Sequence, residues 1–322
     1  MAATTLPGRS AQQSSFKVTP VDAALGAEVR GVDLTKLDDA TFNALHDVWL
    51  EHLLLVFRGQ SLTAQDLVTL VRRFGTPVTS SNLHARDLNE RAGNALLNLP
   101  PEVTVVSNVK EGGKTIGILG DGEVVWHSDF SFKEKPTAAR MLVAMEIPAT
   151  EFGGHTQFLN CYAAYDALTH DHQKRLSGKT IKQANIIDTA MKLRPGASLD
   201  DDVRTTPGPS HPIISTHPET GHNMLFLGRR HAAYVNGFSV EDSEAFLNEL
   251  WAHATQPRFC YTHTWKVGDV VVWDNRATLH RRDAFDSSSR RILYAAQVEG
   301  HRPYEAPNAL ELAPHPRWRA SA

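Results

Sequence analysis

Residues 268–298 read GDVVVWDNRATLHRRDAFDSSSRRILYAAQV, and this stretch decides the fold class. Its first part, VVVWD at 270–274, is an apolar strand candidate, and RRILYAAQV at 290–298 is a second one. The polar DSSS segment between them predicts a turn that lets the second strand run back beside the preceding residues. Because side chains alternate between the two faces of a strand, only one of Arg290 and Arg291 can point inward.

Short strand candidates of the same kind occur toward the N-terminus, separated by Gly, Pro and Asp turns. Short strands at fairly regular spacing are typical of an antiparallel sandwich or barrel. They are VTVVSNV (103–109), ARMLVAMEIP (139–148), PIISTHP (212–218), MLFLG (224–228) and FCYTHTW (259–265).

Helical patterns flank and interrupt these strands. Residues 38–39 open one pattern, and Thr63 is the predicted N-cap of a second helix that stops at Gly75. Two more helices are predicted, at 162–168 and 240–254. The fold class that follows is mainly β with flanking helices.

The domain organisation predicted from these patterns is simple. A hairpin over 16–34 and a buried strand, HLLLVF at 52–57, belong to the same unit as the later strands, so we expect one domain over 16–300. Residues 1–15 are small and polar, and they predict a disordered leader. Residues 301–322 hold four prolines and predict an extended C-terminal tail.

Composition excludes several function classes. The chain has 322 residues with 33 Lys and Arg against 36 Asp and Glu, and this balance would not attract nucleic acid or a membrane surface. Its apolar stretches are too short to span a bilayer, and no secretory signal pattern is present. Two cysteines are too few for a disulfide framework or a cysteine-based metal site. We therefore expect a cytoplasmic protein with no nucleic-acid or membrane partner.

The best metal-binding motif is His127-Ser128-Asp129 in VVWHSDFSF. On a strand, residues i and i+2 point to the same face, so His127 and Asp129 can reach one ion. His280, just past the strand at 270–274, is the candidate third ligand. Two histidines and one carboxylate leave open positions on an octahedral metal, as in non-haem Fe(II) oxygenases. The non-functional alternative is a core histidine that is hydrogen-bonded to a neighbouring aspartate. A second pair with the same spacing, His217 and Glu219, lies in a segment that predicts a turn.

A 2-oxo acid bound to such a metal would need a cation for its distal carboxylate. Arginine suits this task because its planar guanidinium can form two parallel hydrogen bonds to a carboxylate. Arg290 and Arg291 lie ten and eleven residues after His280. Thr156 in FGGHTQF, directly after a Gly-Gly turn, could add a hydroxyl donor.

Together these motifs resemble the TauD/TfdA family of Fe(II)- and 2-oxoglutarate-dependent dioxygenases. The resemblance covers residues from about 18 to 300 and rests on LGAEVRGVDL, LLLVFRGQSLTAQDLVTLVRRFG, WHSDFSFKEKP, GGHTQF and the 268–298 stretch. It implies a double-stranded β-helix (a jelly-roll, cupin-like core). It also implies that His127, Asp129 and His280 bind Fe(II), and that Thr156 and Arg291 hold the 2-oxoglutarate co-substrate.

The resemblance further implies the reaction. Such enzymes use O₂ to hydroxylate an aliphatic C–H bond of a small, often anionic substrate, and 2-oxoglutarate becomes succinate and CO₂. Many relatives are homo-oligomers. In several of them an arginine four residues beyond the 2-oxoglutarate arginine grips the substrate anion, but this chain has Ala295 there. Taurine is therefore not the expected substrate.

The stretch LFLGRRHAAYVNG at 225–237 resembles aryloxyalkanoate dioxygenases, so ether cleavage of an aryloxyalkanoate is the favoured reaction. The candidate substrate-binding residues lie in three segments: this stretch, the loop SSNLHARD and the residues that follow the metal motif. They are Arg229, Arg230, His231, His84 and Phe132.

Other classes stay open at this point. A sulfonate or alkyl-sulfate dioxygenase and an amino-acid or natural-product hydroxylase would use the same metal site. A non-catalytic metal-binding jelly roll would be expected to have lost a ligand or the carboxylate clamp, and neither loss is visible. A zinc hydrolase could use the same ligands, but it would have no use for the Arg291 and Thr156 clamp.

Overall fold

The computed structural model describes residues 16–79, 97–198 and 202–314. The predicted leader at 1–15, His84 and the end of the predicted tail at 315–322 lie outside these ranges. The described helices are Asp39–His52 (α1), Ala64–Phe74 (α2), Cys161–Asp166 (α3), His170–Leu176 (α4) and Val240–Ala254 (α5), with 3-10 turns at Leu34–Lys36, Thr150–Phe152, Pro257–Phe259 and Ala309–Glu311.

Strands make up most of the regular structure between these helices. In chain order they are Lys17–Pro20 (β1), Ala27–Arg30 (β2), Leu54–Phe57 (β3), Thr104–Ser107 (β4), Lys110–Glu111 (β5), Lys114–Thr115 (β6), Ile118–Leu119 (β7), Val124–His127 (β8), Ala139–Glu146 (β9), Thr156–Asn160 (β10), Thr180–Gln183 (β11), Ser210–Pro212 (β12), Ile214–Thr216 (β13), Asn223–Leu225 (β14), Ala233–Val235 (β15), Cys260–His263 (β16), Val270–Asp274 (β17), Thr278–Arg282 (β18) and Ile292–Val298 (β19).

Two main sheets face each other. The larger has the order β1-β2-β3-β17-β9-β19-β4-β7 and the smaller has the order β16-β10-β18-β8; β12-β11-β15, β13-β14 and β5-β6 form three short sheets. The inner faces of the main sheets meet in one apolar cluster, where the rings of Phe158 on β10 and Trp273 on β17 lie 5.2 Å apart. The predicted mainly β fold is confirmed, and the facing sheets form the walls of a jelly-roll core.

Helices α1 and α2 cover the outer face of the larger sheet. The side chains of strand β9 alternate between the outer face, under the helices, and the inner face, between the two sheets. Met141 and Val143 belong to the cluster beneath the helices, whereas Leu142 and Ala144 belong to the cluster between the sheets. Arg140 shares the inner face with Leu142, so the alternation of this apolar strand directs a charged side chain between the sheets.

Helix boundaries follow the predicted capping residues. Thr63 and Asp66 form a reciprocal capping box at the start of α2, which ends at Gly75 as predicted. The predicted strand at 52–57 begins too early: α1 continues to His52, and Leu53 ends it in a left-handed conformation (φ 65°). The PIISTHP segment likewise forms the end of β12 and all of β13 rather than one strand.

Among the described residues, no helix combines the length and apolar character that a bilayer crossing needs.

A buried ionic cluster fixes the end of β17. The Asp274 carboxylate is fully buried and accepts hydrogen bonds from the Arg276 guanidinium at 2.6 Å and from His217 Nε2 at 3.0 Å. Arg276 also contacts Glu219, so the His217 and Glu219 pair belongs to this ionic cluster. Burial raises the pKa of Asp274, but Arg276 and His217 lower it by more, so the pKa lies well below its usual range.

We predict that Asp274→Asn lowers the free energy of unfolding by about 3 kcal/mol at pH 7, because Arg276 and His217 lose the buried carboxylate that they share and Arg276 keeps only the partly exposed Glu219. A lowered carboxyl pKa stabilises the fold above the ordinary aspartate value of 3.8 and loses that effect as the pH falls below it. The difference between wild type and variant should therefore shrink in acid. Urea unfolding across pH measures it, with exposed Asp47→Asn as control. A pH-independent difference would contradict this account.

Candidate metal centre and co-substrate pocket

The three predicted metal ligands converge on one point. His127 ends β8, His280 lies on β18, and the two are cross-strand partners with ring centroids 4.1 Å apart. Asp129 follows His127 by two residues, and one potential ligand atom from each residue lies within 4.8 Å of the others. All three side chains are buried. The structure thus brings together residues separated by half the chain.

The donor atoms are oriented for a divalent metal, and His280 and Asp129 are in the protonation states that such a metal needs. Nδ1 of His127 lies 2.8 Å from Val125 O and donates to it, so Nε2 is the nitrogen that faces Asp129 in the cluster. Burial and the neighbouring His127 lower the pKa of His280 well below its usual range, which keeps that ring neutral. Burial raises the pKa of Asp129, but Arg140, His280 and His127 bring it well below its usual range. Two imidazoles and one ionised carboxylate fit the proposed ligand set.

Asn275 holds the metal-binding turn in place. Its side-chain oxygen accepts from the Asp129 backbone N–H at 3.0 Å, and its amide nitrogen donates to Asp129 O at 3.1 Å and to Thr137 O at 2.9 Å. The Ser128 hydroxyl donates to Asn275 O at 2.9 Å. Asn275 is fully buried and its amide is satisfied on both sides. This residue was not singled out from the sequence, although it lies inside the WDNR motif.

The predicted carboxylate clamp lies on the same inner face. Thr156 on β10 is buried, and its hydroxyl accepts from Trp265 Nε1 at 2.9 Å. Arg291 is only 2% exposed; its backbone N–H donates to Asn108 and its guanidinium to Gly154 O at 3.5 Å. Arg290 points outward to Glu146, so Arg291 is the inward member of the pair.

Arg282 stands beside this clamp and was missed from the sequence. It is buried, lies opposite Thr156 across the β10–β18 pair, and donates to Gly122 O and Leu119 O. Its Nε and Nη1 have no hydrogen-bond partner among the described residues. The available signal was its spacing: two residues after His280, it points to the same face of β18.

Arg282 and Arg291 form no ion pair with a carboxylate among the described residues. Burial and the charge of Arg282 lower the pKa of Arg291 to about 9, and burial lowers the pKa of Arg282 to about 10. Both line a cavity of about 1280 Å³ that also contains His127, Asp129 and His280. A dianion that bridges the metal and the arginines would supply the missing charge.

The candidate substrate-binding residues are scattered. Phe132 lines the cavity and packs edge-on against Phe130 at 5.7 Å. The buried Arg229 also borders the cavity, but its guanidinium donates to three backbone carbonyls, those of Ile187, Ala184 and His231.

Two more of these candidates lie at the surface. Arg230 pairs with Glu244 and Asn248 on α5, and His231 is exposed. His84 lies outside the described residues.

Comparison with known proteins agrees with this geometry. The family described as taurine catabolism dioxygenase TauD, TfdA matches residues 17–297, so the chain belongs to that family. It is 32% identical over 302 residues to an (S)-phenoxypropionate/alpha-ketoglutarate dioxygenase of Delftia acidovorans, covering 89% of this chain and 96% of the relative. It is also 32% identical to an alpha-ketoglutarate-dependent 2,4-dichlorophenoxyacetate dioxygenase of Cupriavidus pinatubonensis, with 88% and 97% covered.

A solved structure, AAD-2 in complex with Mn(II) and N-oxalylglycine, matches with a TM-score of 0.69. The two chains are 25% identical, with 89% of this chain and 98% of the other covered. The expected family, the jelly-roll core and the enzyme class are confirmed. The chain is a 2-oxoglutarate-dependent dioxygenase that uses a metal cofactor.

We predict that Asn275→Asp lowers the affinity for Mn(II) by about 10- to 100-fold, since a carboxylate would face the carbonyl oxygens of Asp129 and Thr137 and displace the metal-binding turn. Calorimetric titration with Mn(II) measures this loss, and far-UV circular dichroism checks that the variant is folded. The exposed Asn43→Asp on α1 is the matched control. Wild-type affinity in Asn275→Asp would remove Asn275 from its positioning role.

Proposed function

We propose that His127, Asp129 and His280 bind Fe(II) and that Arg291 and Thr156 hold the distal carboxylate of 2-oxoglutarate. The observation that carries the proposal is a single cavity with a two-histidine, one-carboxylate cluster and a buried, charge-deficient pair of arginines. Fe(II) bound there would supply O₂ activation coupled to the oxidative decarboxylation of 2-oxoglutarate.

The protein's own residues would bind and orient the reactants. The Thr156 hydroxyl accepts from Trp265, so its own proton is available to a carboxylate oxygen. The Arg291 guanidinium, held by Gly154 O, would provide the charge and the planar fork that a carboxylate prefers. Leu142 and Trp273 border the cavity and exclude water from the reacting C–H bond.

We propose an aryloxyalkanoate as the primary substrate, cleaved after hydroxylation of the carbon next to the ether oxygen. Two relatives carry the names of phenoxypropionate and dichlorophenoxyacetate dioxygenases. The edge-to-face pair Phe130 and Phe132 lines the cavity and offers an apolar surface for the aryl ring. Sulfonates, alkyl sulfates and amino acids are the competing substrate classes.

The test is succinate formation from 2-oxoglutarate by the Fe(II)-loaded protein across phenoxyalkanoates, sulfonates, alkyl sulfates and amino acids. We expect substrate-dependent succinate with the phenoxyalkanoates and an equal amount of released phenol, since both come from one turnover. Equal succinate with an alkyl sulfate and none with phenoxyalkanoates would transfer the assignment to that class. No succinate with or without substrate would contradict the catalytic assignment.

We further propose that the protein works in the cytoplasm as a homo-oligomer. Its two cysteines, Cys161 and Cys260, are free thiols, which suits a reducing compartment. Light scattering of the purified protein measures the assembly, and a monomeric mass would contradict the second part.

Replacing Arg291 tests the co-substrate clamp. We predict that Arg291→Gln raises the Kd and KM for 2-oxoglutarate by about 10- to 100-fold, because a charge-assisted hydrogen bond contributes roughly 1.5–3 kcal/mol. Metal affinity should remain, since Arg291 does not contact the three metal ligands in the structure. Arg290→Gln is the matched control, because the Arg290 guanidinium is next in sequence but points to Glu146 at the surface. Equal effects of both variants would refute the assignment.

A further inference from the structure

Arg140 is a charged residue in the inner wall of the jelly roll. It lies on β9 between Trp273 of β17 and Gln297 of β19, its direct cross-strand partners. The side chain is buried and borders the same cavity as the metal-ligand cluster. An arginine in this position is costly unless its charge and its donors are used.

Only part of the Arg140 guanidinium is satisfied. Nη1 donates to Asp129 Oδ2 at 2.5 Å, but Nε is buried without a hydrogen-bond partner among the described residues. Across the strand pair, Gln297 Oε1 is also buried and has no partner in the described ranges. Arg140 Nε is therefore a free donor at the wall of the cavity, whereas Gln297 Oε1 is an acceptor that would need a donor group on a ligand.

The space between them is open because the next inward residue on β19 is small. Ala295 is two residues from Gln297 and lies diagonally across from Arg140, so all three line the same face and border the cavity. A longer side chain at 295 would occupy this recess. The wall thus combines a cation, an amide and room for a small polar group.

Charge balance favours an anion in the recess. Within the described part of the chain, Asp129 is the only residue that forms an ion pair with Arg140. A divalent metal at His127, Asp129 and His280 would use the Asp129 charge for itself. Arg140 would then hold a buried positive charge without compensation, and an entering carboxylate would provide it.

We propose that Arg140 binds the carboxylate of the primary substrate and is the main determinant of specificity for an acid over its neutral analogue. This inference rests on the proposed dioxygenase function and names the group that selects the substrate. Asp129 holds the guanidinium by one edge, which leaves Nε and the remaining amino group for the substrate. The carboxylate is thereby placed next to the metal cluster.

The test compares an acid with its neutral isostere. Calorimetry on the protein loaded with Mn(II) and N-oxalylglycine measures the Kd of 2-phenoxypropionate and of 2-phenoxypropionamide, with no turnover involved. We expect wild type to prefer the acid, and Arg140→Gln to weaken acid binding by about tenfold or more while amide binding changes little. In steady state, KM for the acid should rise more than kcat falls.

Two further variants separate specificity from folding and from metal binding. Arg175→Gln, which removes an exposed arginine paired with Glu249, is the control and should keep the acid preference. Ala295→Arg added to Arg140→Gln returns a guanidinium to the same face and should restore part of the acid preference. A loss of acid binding in Arg140→Gln that the second arginine does not restore would indicate that Arg140 supports the fold instead.

The outcomes that overturn the proposal are distinct from failure of the proposed function. If Arg140→Gln lowers Mn(II) affinity and leaves the acid-to-amide ratio unchanged, Arg140 is a counter-ion of Asp129 and nothing more. A wild-type protein that binds acid and amide equally would also refute the carboxylate site. Either result could occur in an enzyme that still forms succinate, whereas the absence of 2-oxoglutarate-dependent succinate would reject the dioxygenase proposal itself.

Discussion

The metal centre depends on the hydrogen bonds between the Asn275 side chain and the turn that carries Asp129. One amide accepts from the Asp129 backbone and donates to two carbonyls, so it fixes the turn from both sides. Asn275 directly follows β17, which lies at the middle of the larger sheet between β3 and β9. The most buried strand of the core thereby positions a turn that belongs to the smaller sheet, and His280 enters from that smaller sheet's own strand β18.

A second constraint is the alternation of side chains in the inner strands. The same alternation that buries Leu142 between the sheets also directs Arg140 inward, and it separates Arg291 from the outward Arg290. Arg140, Arg282 and Arg291 place three positive charges in the cavity wall, and of these three Asp129 forms an ion pair with Arg140 alone. The interior is therefore prepared for a metal ion accompanied by anionic ligands, and this explains how a buried cavity can hold so many cations.

Much of this arrangement could be predicted from the sequence because its signals are local. The H-x-D pair and the strand at 270–274 depend on strand periodicity, whereas the choice of Arg291 over Arg290 came from the family resemblance. The structure places these residues accordingly. Helix caps were equally local: the Thr63 capping box and the Gly75 terminus lie where predicted.

What the sequence could not supply depends on contacts between distant segments. Nothing local shows that the Arg229 guanidinium is taken up by backbone carbonyls, or that Arg230 lies on the surface against α5. Arg140 is one charged residue in the apolar segment ARMLVAMEIP, and only the β9–β19 register places it beside Gln297. The end of α1 at His52 was missed because Leu53 adopts a left-handed conformation that leucine rarely takes.

The most direct measurement is a crystal structure of the protein with Mn(II) and 2-oxoglutarate, with the metal located by its anomalous scattering. We expect one peak among His127, Asp129 and His280, with the distal carboxylate of 2-oxoglutarate against Arg291 and Thr156. A metal peak elsewhere, or a co-substrate carboxylate turned away from Arg291, would contradict it.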